Sequence, residues 1–179
     1  MLPNLTTYLH LQNFLTFTQI EEIIALLPSE ENWYPFSTND LSRLQSHNLT
    51  MRIKSLPQVK IFEIVQEELS KIGLKMKDEI IYPRLYRKDD WMDWHSDYSH
   101  IPFSQTDELV YECILVLKNT SDSVTKFKIN NNQSEKKIEE SIYTNPSDFL
   151  VVCRHGITHC VTKITEGERL TIKFTCVAI

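Results

Sequence analysis

The chain has 179 residues, 41% of them hydrophobic and 24% charged, with a net charge of −5. That length suits a single domain around one core, and an acidic balance argues against a surface that tracks nucleic acid over a long stretch. No apolar run approaches the roughly 18 residues a membrane helix needs, and the opening "MLPNLTTYLH" lacks the basic and apolar regions of a signal peptide, so a soluble intracellular protein is expected.

Two helices are expected early in the chain. Thr18 and Glu21 read as a capping box; Ile20, Ile23, Ile24 and Leu27 then recur on one helical face until Pro28 stops the run. The second helix is expected from near Ser55 and Pro57, with Val59, Phe62, Val65, Leu69 and Ile72 as its apolar stripe and Gly73 as its stop. Between them, residues 32–50 are polar but hold Trp33, Tyr34 and Phe36. They read as a long connection whose aromatics either anchor it to the core or cover a substrate.

From about residue 79 the pattern changes. The runs "EIIYPRLYR", "ELVYECILVLK", "VTKFKI", "KIEESIYT", "DFLVVC", "THCVTKI" and "ERLTIKFTCVAI" are β-branched and aromatic, with polar turns between. That spacing predicts an all-β sandwich or barrel. The expected architecture is mainly β with N-terminal helices (α+β): one domain over residues 1–179, with 1–78 as helical support and possible lid and 79–179 as a jelly-roll core. "KINNNQSEKK" reads as a polar loop tip, and "THCVTKITEGERLTIKF" as a β-hairpin turning near Gly167. Cys113, Cys153, Cys160 and Cys176 each sit in or beside an apolar run, as buried free thiols do.

The stretch "WMDWHSDYSH" sets Asp93, His95, Asp97 and His100 within eight residues. The two-residue period of a strand places His95 and Asp97, and Asp93 with them, on one face. A third ligand for a shared ion has to come from elsewhere: His100, His155 and His159 are candidates, with His10 and His47 far upstream. On the last run Arg169, Thr171, Lys173 and Thr175 share a face, and an arginine with a threonine two residues on can grip a carboxylate. Other readings stand beside these. Cys153, His155, His159 and Cys160 are dense enough to hold a structural zinc, or the polar cluster is incidental to a non-enzymatic jelly-roll binding module.

His95-Ser96-Asp97, His159 a further 64 residues on and Arg169 ten beyond that resemble the H-x-D…H…R pattern of the Fe(II)/2-oxoglutarate-dependent dioxygenase superfamily. The resemblance runs from about residue 80 to the end and implies a double-stranded β-helix. It also implies that His95, Asp97 and His159 hold Fe(II), with positions left for 2-oxoglutarate and O2. Arg169, helped by Thr171 and Tyr86, would then hold the far carboxylate of 2-oxoglutarate. "RLYRKDDWMDWHSD" and "ERLTIKFTCV" look most like the AlkB-like branch, in which a tyrosine nine residues before the first metal histidine, here Tyr86, contacts the cosubstrate. The chain departs from that branch twice: Thr175 replaces a second arginine, and Arg84 replaces an asparagine, which makes Arg84 a further cosubstrate candidate.

The resemblance implies hydroxylation or oxidative demethylation of an organic substrate, a small molecule, peptide or methylated nucleic acid, with release of succinate and CO2. In the AlkB-like alternative, hydroxylation of a nucleic-acid N-methyl group gives a hemiaminal that sheds formaldehyde. Residues 32–50 and 98–108 would border the iron, and Asp93, Trp91, Tyr98, His100, Trp33 and Tyr34 are the substrate-side candidates.

Overall fold

The computed structural model describes residues 8–36, 46–50, 53–54, 59–77, 80–96, 110–130, 137–153 and 157–179. In chain order the elements are β1 (Tyr8–Leu11), α1 (Phe17–Leu26), a short 3-10 turn (Glu30–Asn32), β2 (Tyr34–Phe36), β3 (Ser46–Thr50), β4 (Ile53–Lys54) and α2 (Val59–Lys71). There follow β5 (Leu74–Met76), β6 (Ile80–Tyr86), β7 (Trp91–His95), β8 (Val110–Asn119), β9 (Thr125–Asn130), β10 (Lys137–Ile142), β11 (Phe149–Cys153), β12 (Thr158–Val161) and β13 (Arg169–Ala178).

The strands form two facing sheets. One runs β1-β11-β8-β13-β6; the other runs β10-β9-β12-β7. β3 ties them together, pairing with β7 through Ser46 and His47 and with β6 through Leu49 and Thr50. The pairs β6–β7, β8–β9, β10–β11 and β12–β13 are each consecutive in the chain, yet each has one member in either sheet. Four arches therefore cross between the sheets, which is the architecture of a double-stranded β-helix.

All four arches turn at the same end, and they are bonded to one another. Asp89 N donates to Ile164 O and Ile164 N to Asp90 O, at 2.9 and 3.0 Å. Thr120 N donates to Glu168 O at 2.9 Å, and Asn119 Nδ2 to Thr144 O at 2.6 Å. Ile164, fully buried with Tyr86, Met92 and Val161, plugs the barrel there. This corrects the expected hairpin over "THCVTKITEGERLTIKF". β12 pairs with β7 and β9, whereas β13 pairs with β5, β6 and β8. The connection is too long for a tight turn and is pinned to neighbouring arches, so it changes sheet instead of folding back.

The main core lies outside the barrel, between the first sheet and the two helices. Ile172, Phe174 and Cys176 from alternate positions of β13 pack with Leu115, Phe149, Ile20, Ile23, Ile61, Val65 and Leu69. Burying each large apolar side chain contributes about 1.5–3 kcal/mol, so this layer holds the sheet in shape and leaves the opposite face of β13 for other work. The cap of α1 lies two residues upstream of the expected one. Thr16 is the N-cap and Gln19 its reciprocal partner, with Gln19 N donating to Thr16 Oγ1 at 3.2 Å and Thr16 N to Gln19 Oε1 at 2.8 Å. Leu15 is tied to Ser147 through both its N–H and its carbonyl, and that tether fixes where the helix begins.

In the expected stripe of α1, Ile20 and Ile23 are buried but Ile24 is 37% exposed. In α2, Val65 and Leu69 are buried as expected, together with Ile61, which the stripe omitted. Ser55 and Pro57 lie outside the described residues, and Gly73 follows α2 at φ +77°. Residues 32–50, read as a connection, contain β2 and β3, and β3 is part of the barrel wall. Asn48 and Thr50 are buried there, with Thr50 Oγ1 donating to Pro83 O at 2.8 Å.

Gly167 carries the sharpest demand of the arch region. Its φ is +75°, and a Cβ there would clash with the backbone of Thr120. Gly167→Ala is expected to destabilise the fold by about 2 kcal/mol or more, read as a lower urea midpoint with an unchanged m-value. An unchanged midpoint would show that the arches are not locked at this point.

Candidate functional site

The arches set the depth of a cavity between the sheets. Its floor is at the closed end, where Arg169, the first residue of β13, is the register partner of Tyr86, the last residue of β6. Arg169 is only 2% exposed. Its Nη2 donates to Thr125 Oγ1 at 2.9 Å, while Nε and Nη1 meet no hydrogen-bond acceptor among the described residues. Burial pushes its pKa below the usual arginine value, against the pull of the Tyr86 and Tyr143 phenols. Burial likewise raises the Tyr86 phenol, opposed by the Arg84, Arg169 and Lys173 cations. A guanidinium buried with one neutral partner carries a desolvation penalty of several kcal/mol unless an anion joins it. Its position and chemistry suit a carboxylate held by charge-assisted bonds.

One pleat nearer the opposite end, Thr171 is the register partner of Arg84, and both line the same cavity. Arg84 Nη1 donates to Asn48 Oδ1 at 3.3 Å. Lys173 follows on the same face of β13. The sequence placed Arg169, Thr171 and Lys173 on one face, and the cavity takes all three. The space, its open mouth included, is about 420 Å³.

The second sheet contributes two imidazoles. His159 on β12 is the register partner of His95 on β7, and their ring centroids are 4.2 Å apart, tilted by 54°. The pairing shifts beside them: Val161 lies opposite Met92, so β7 spends three residues where β12 spends two. Such a bulge re-aims side chains. Met92 and His95 consequently both line the cavity, and the expected common face of Asp93 and His95 does not form.

Asp93 instead lines a groove on the outer side of the sheet, with Trp91, Trp94 and Cys160. Its carboxylate accepts from Trp94 N at 2.7 Å, and its backbone carbonyl lies 2.8 Å from His95 Nδ1. A carbonyl only accepts, so Nδ1 carries the proton, and in the neutral ring Nε2 then carries the lone pair, one of the two ways an imidazole can ligate a metal.

Other sequence candidates separate. Trp91 lines the outer groove and is not among the cavity's lining residues. Trp33 donates from Nε1 to Pro28 O at 3.1 Å and lines a groove with Leu85 and Leu170 on the outer face of the first sheet. Tyr34, in β2, is 50% exposed and does not line the cavity. Asp97, Tyr98, His100 and His155 lie outside the described residues. The zinc cluster is not assembled: His159 faces the cavity and its chain neighbour Cys160 faces the outer groove, as alternation along a strand requires. Among the described residues no group of three His, Cys, Asp or Glu could hold a metal ion. The His95–His159 pair places two imidazoles side by side, and Asp97, two residues beyond His95, is the sequence's candidate for a third ligand beside them. Thr125, the partner of Arg169, was missed because a threonine in "VTKF" carries no signal until the arch folds β9 across from β13.

No family model and no curated protein matches the chain by sequence. Solved structures do match it. A prolyl-4-hydroxylase from Pseudomonas putida superposes with a TM-score of 0.68 at 12% identity, covering 96% of this chain and 91% of its own. A Trichoplax adhaerens prolyl hydroxylase, solved with a hypoxia inducible factor peptide fragment, gives 0.69 at 13% identity over 98% and 84%. HygX from Streptomyces hygroscopicus, solved with nickel and 2-oxoglutarate, gives 0.63 at 14% identity over 97% and 84%. At these identities the likeness is one of fold, the double-stranded β-helix shared with 2-oxoglutarate-Fe(II) oxygenases.

The buried guanidinium makes a stability prediction of its own. Arg169→Met removes a poorly compensated charge at similar volume, so it is expected to raise ligand-free stability by about 1 kcal/mol or more. Denaturant titration without dicarboxylates reads the effect, and a loss of stability would show that the surroundings already balance the charge.

Proposed function

We propose that this chain is an Fe(II)- and 2-oxoglutarate-dependent dioxygenase that hydroxylates or oxidatively demethylates an organic substrate, releasing succinate and CO2. The observation that carries the reading is the buried Arg169 guanidinium, two of whose nitrogens meet no acceptor among the described residues, in the lining of the cavity that the paired imidazoles of His95 and His159 also line. A dianion with one carboxylate for Arg169 and a second for a metal at the histidines suits that arrangement. The solved structures of the same fold support it, since one carries 2-oxoglutarate and a divalent metal.

In this reading His95, Asp97 and His159 hold the metal. When bound, Fe(II) with 2-oxoglutarate and O2 supplies oxidative decarboxylation and the oxidation of a nearby C–H bond. The protein's own residues bind and orient. Arg169 holds the far carboxylate of 2-oxoglutarate, with Thr125 fixing the guanidinium, Tyr86 and Thr171 flanking it, and Arg84 one pleat nearer the opening. Ile164, Met92 and Val161 keep water from the floor, which strengthens each of these polar contacts. The Asp93 carbonyl keeps the proton of His95 on Nδ1.

Within the proposal, a non-nucleic-acid substrate is favoured over AlkB-like dealkylation. A flipped base needs aromatic side chains to stack on, and among the described residues Trp33, Tyr34 and Trp91 lie off the cavity, while the side chains of Phe36 and Tyr98 fall outside the description. Thr175 in place of the second arginine points the same way.

Succinate release under Fe(II), 2-oxoglutarate and O2 tests the reaction, and calorimetry with Mn(II) tests the site. Wild type is expected to make succinate, and His95→Ala to lose both metal binding and turnover. Arg169→Met is expected to weaken 2-oxoglutarate by about a hundredfold, from a lost buried charged pair worth about 3 kcal/mol, while Mn(II) affinity holds. Equal 2-oxoglutarate affinity in Arg169→Met would reject the proposed anchor.

A further inference from the structure

We propose that this chain self-associates as a two-fold dimer in which Phe17 of each copy enters a groove on the other; the inference is independent of the reaction. Helix α1 is apolar over more of its surface than its core contact requires. Ile20 and Ile23 are buried against the first sheet, yet Phe17 is 72% and Ile24 37% exposed. Phe17 and Ile24 are nearly two turns apart, about 10 Å along the axis, so they share a side of the helix. A surface helix normally keeps polar residues outside its core stripe, and α1 does not. Its Ile24 end leads into a groove of about 670 Å³, open mouth included, that Leu27, Trp33, Leu85 and Leu170 also line.

One side of the molecule thus carries both an exposed ring and a recess. That pairing is what an isologous contact needs, since a two-fold axis brings each Phe17 to the recess of the other copy. Trp33 is held there by its Nε1 bond to Pro28 O at 3.1 Å, which fixes an indole for an entering phenyl ring to pack on. Charge also points to a second copy. The chain carries a net charge of −5, so two copies repel over most of their surfaces. The four charged residues of the groove cancel: Arg87 grips Glu30 at 2.5 and 2.6 Å, and Lys118 reaches Glu168 at 2.6 Å. A face without net charge lets two acidic chains approach and gives a basic or acidic peptide nothing to recognise. An added strand is excluded, because Leu85 and Leu170 lie on strands that are already paired along both edges at those residues. The recess therefore takes a side chain. Glu21, on the same side of α1 between Phe17 and Ile24, is the unfavourable element, since the axis brings it near its own symmetry mate. One ring and one short helix per copy make a contact below the standard interface size, so the dimer is a weak, micromolar one.

Sedimentation velocity of the full chain over a concentration series, from low to high micromolar, tests this. Wild type is expected to shift reversibly from monomer to dimer. Phe17→Ser is expected to weaken the dimer by about tenfold or more, because each substitution removes two contacts across the axis. Ile24→Ser is expected to weaken it as well, and Glu21→Gln to tighten it. Ile179, 74% exposed at the far end of the chain, serves as the control: Ile179→Ser is expected to leave the dimer unchanged. Urea midpoints of the variants show whether each still folds. A wild type that stays monomeric through the series overturns the proposal, as does a dimer that Phe17→Ser leaves intact. Equal weakening by Phe17→Ser and Ile179→Ser also overturns it, since that would mean unspecific adhesion of exposed apolar groups. A monomer whose urea midpoint falls in Phe17→Ser does so too, because the ring would then be covered from within its own chain.

Discussion

The four crossings of the chain that share one end of the two sheets are the constraint from which the rest of the molecule follows. Their turns hydrogen-bond to one another, from Asp89 and Asp90 to Ile164 and from Thr120 to Glu168, so the barrel is shut there by backbone as well as by the Ile164 plug. A closed end gives the cavity a floor. Because β13 starts where the last arch finishes, its first residue, Arg169, is delivered to that floor with almost no access to water. The residues after it on the same face then climb toward the opening, and the histidines on β7 and β12 stand above the floor from the other sheet.

In the proposed reading this geometry exchanges stability for affinity. A cation in an apolar floor is expensive when nothing answers it, and Thr125 answers with a single neutral hydroxyl. An anion binding there would recover the energy withheld in folding, which would favour a carboxylate over a neutral group. The outer face of β13 offsets the expense, since Ile172, Phe174 and Cys176 pack into the helix-backed core. One strand thus carries an apolar row that holds the sheet to the helices and a polar row that faces the cavity.

That two-row character was legible in the sequence, because strand alternation is local and the last run states it openly. The helices were legible too, although the cap of α1 was misplaced: Thr16-x-x-Gln19 and Thr18-x-x-Glu21 are equivalent locally, and only the distant tether of Leu15 to Ser147 decides between them. What sequence could not supply was long-range. The arch read as a hairpin because a hairpin and a sheet-changing arch have the same local pattern. Asp93 was placed beside His95 because period-two counting has no way to see a bulge, whose extra residue is defined by the partner strand. Trp33 and Tyr34 gave no sign that they would lie off the cavity, since their setting depends on β3 entering the wall. Histidine pairing was different: His95 and His159 were matched through a family pattern, and register brings their rings together.

The central claim is that one dianion bridges a metal held near His95 and His159 to the guanidinium of Arg169. A crystal structure with Mn(II) and 2-oxoglutarate, using anomalous scattering to locate the metal, tests it most directly. The account predicts a manganese peak at the paired imidazoles of His95 and His159 with Asp97 beside it, and a dicarboxylate running from it to Nε and Nη1 of Arg169. A metal peak elsewhere, or a dicarboxylate that leaves Arg169 without a carboxylate partner, would contradict it.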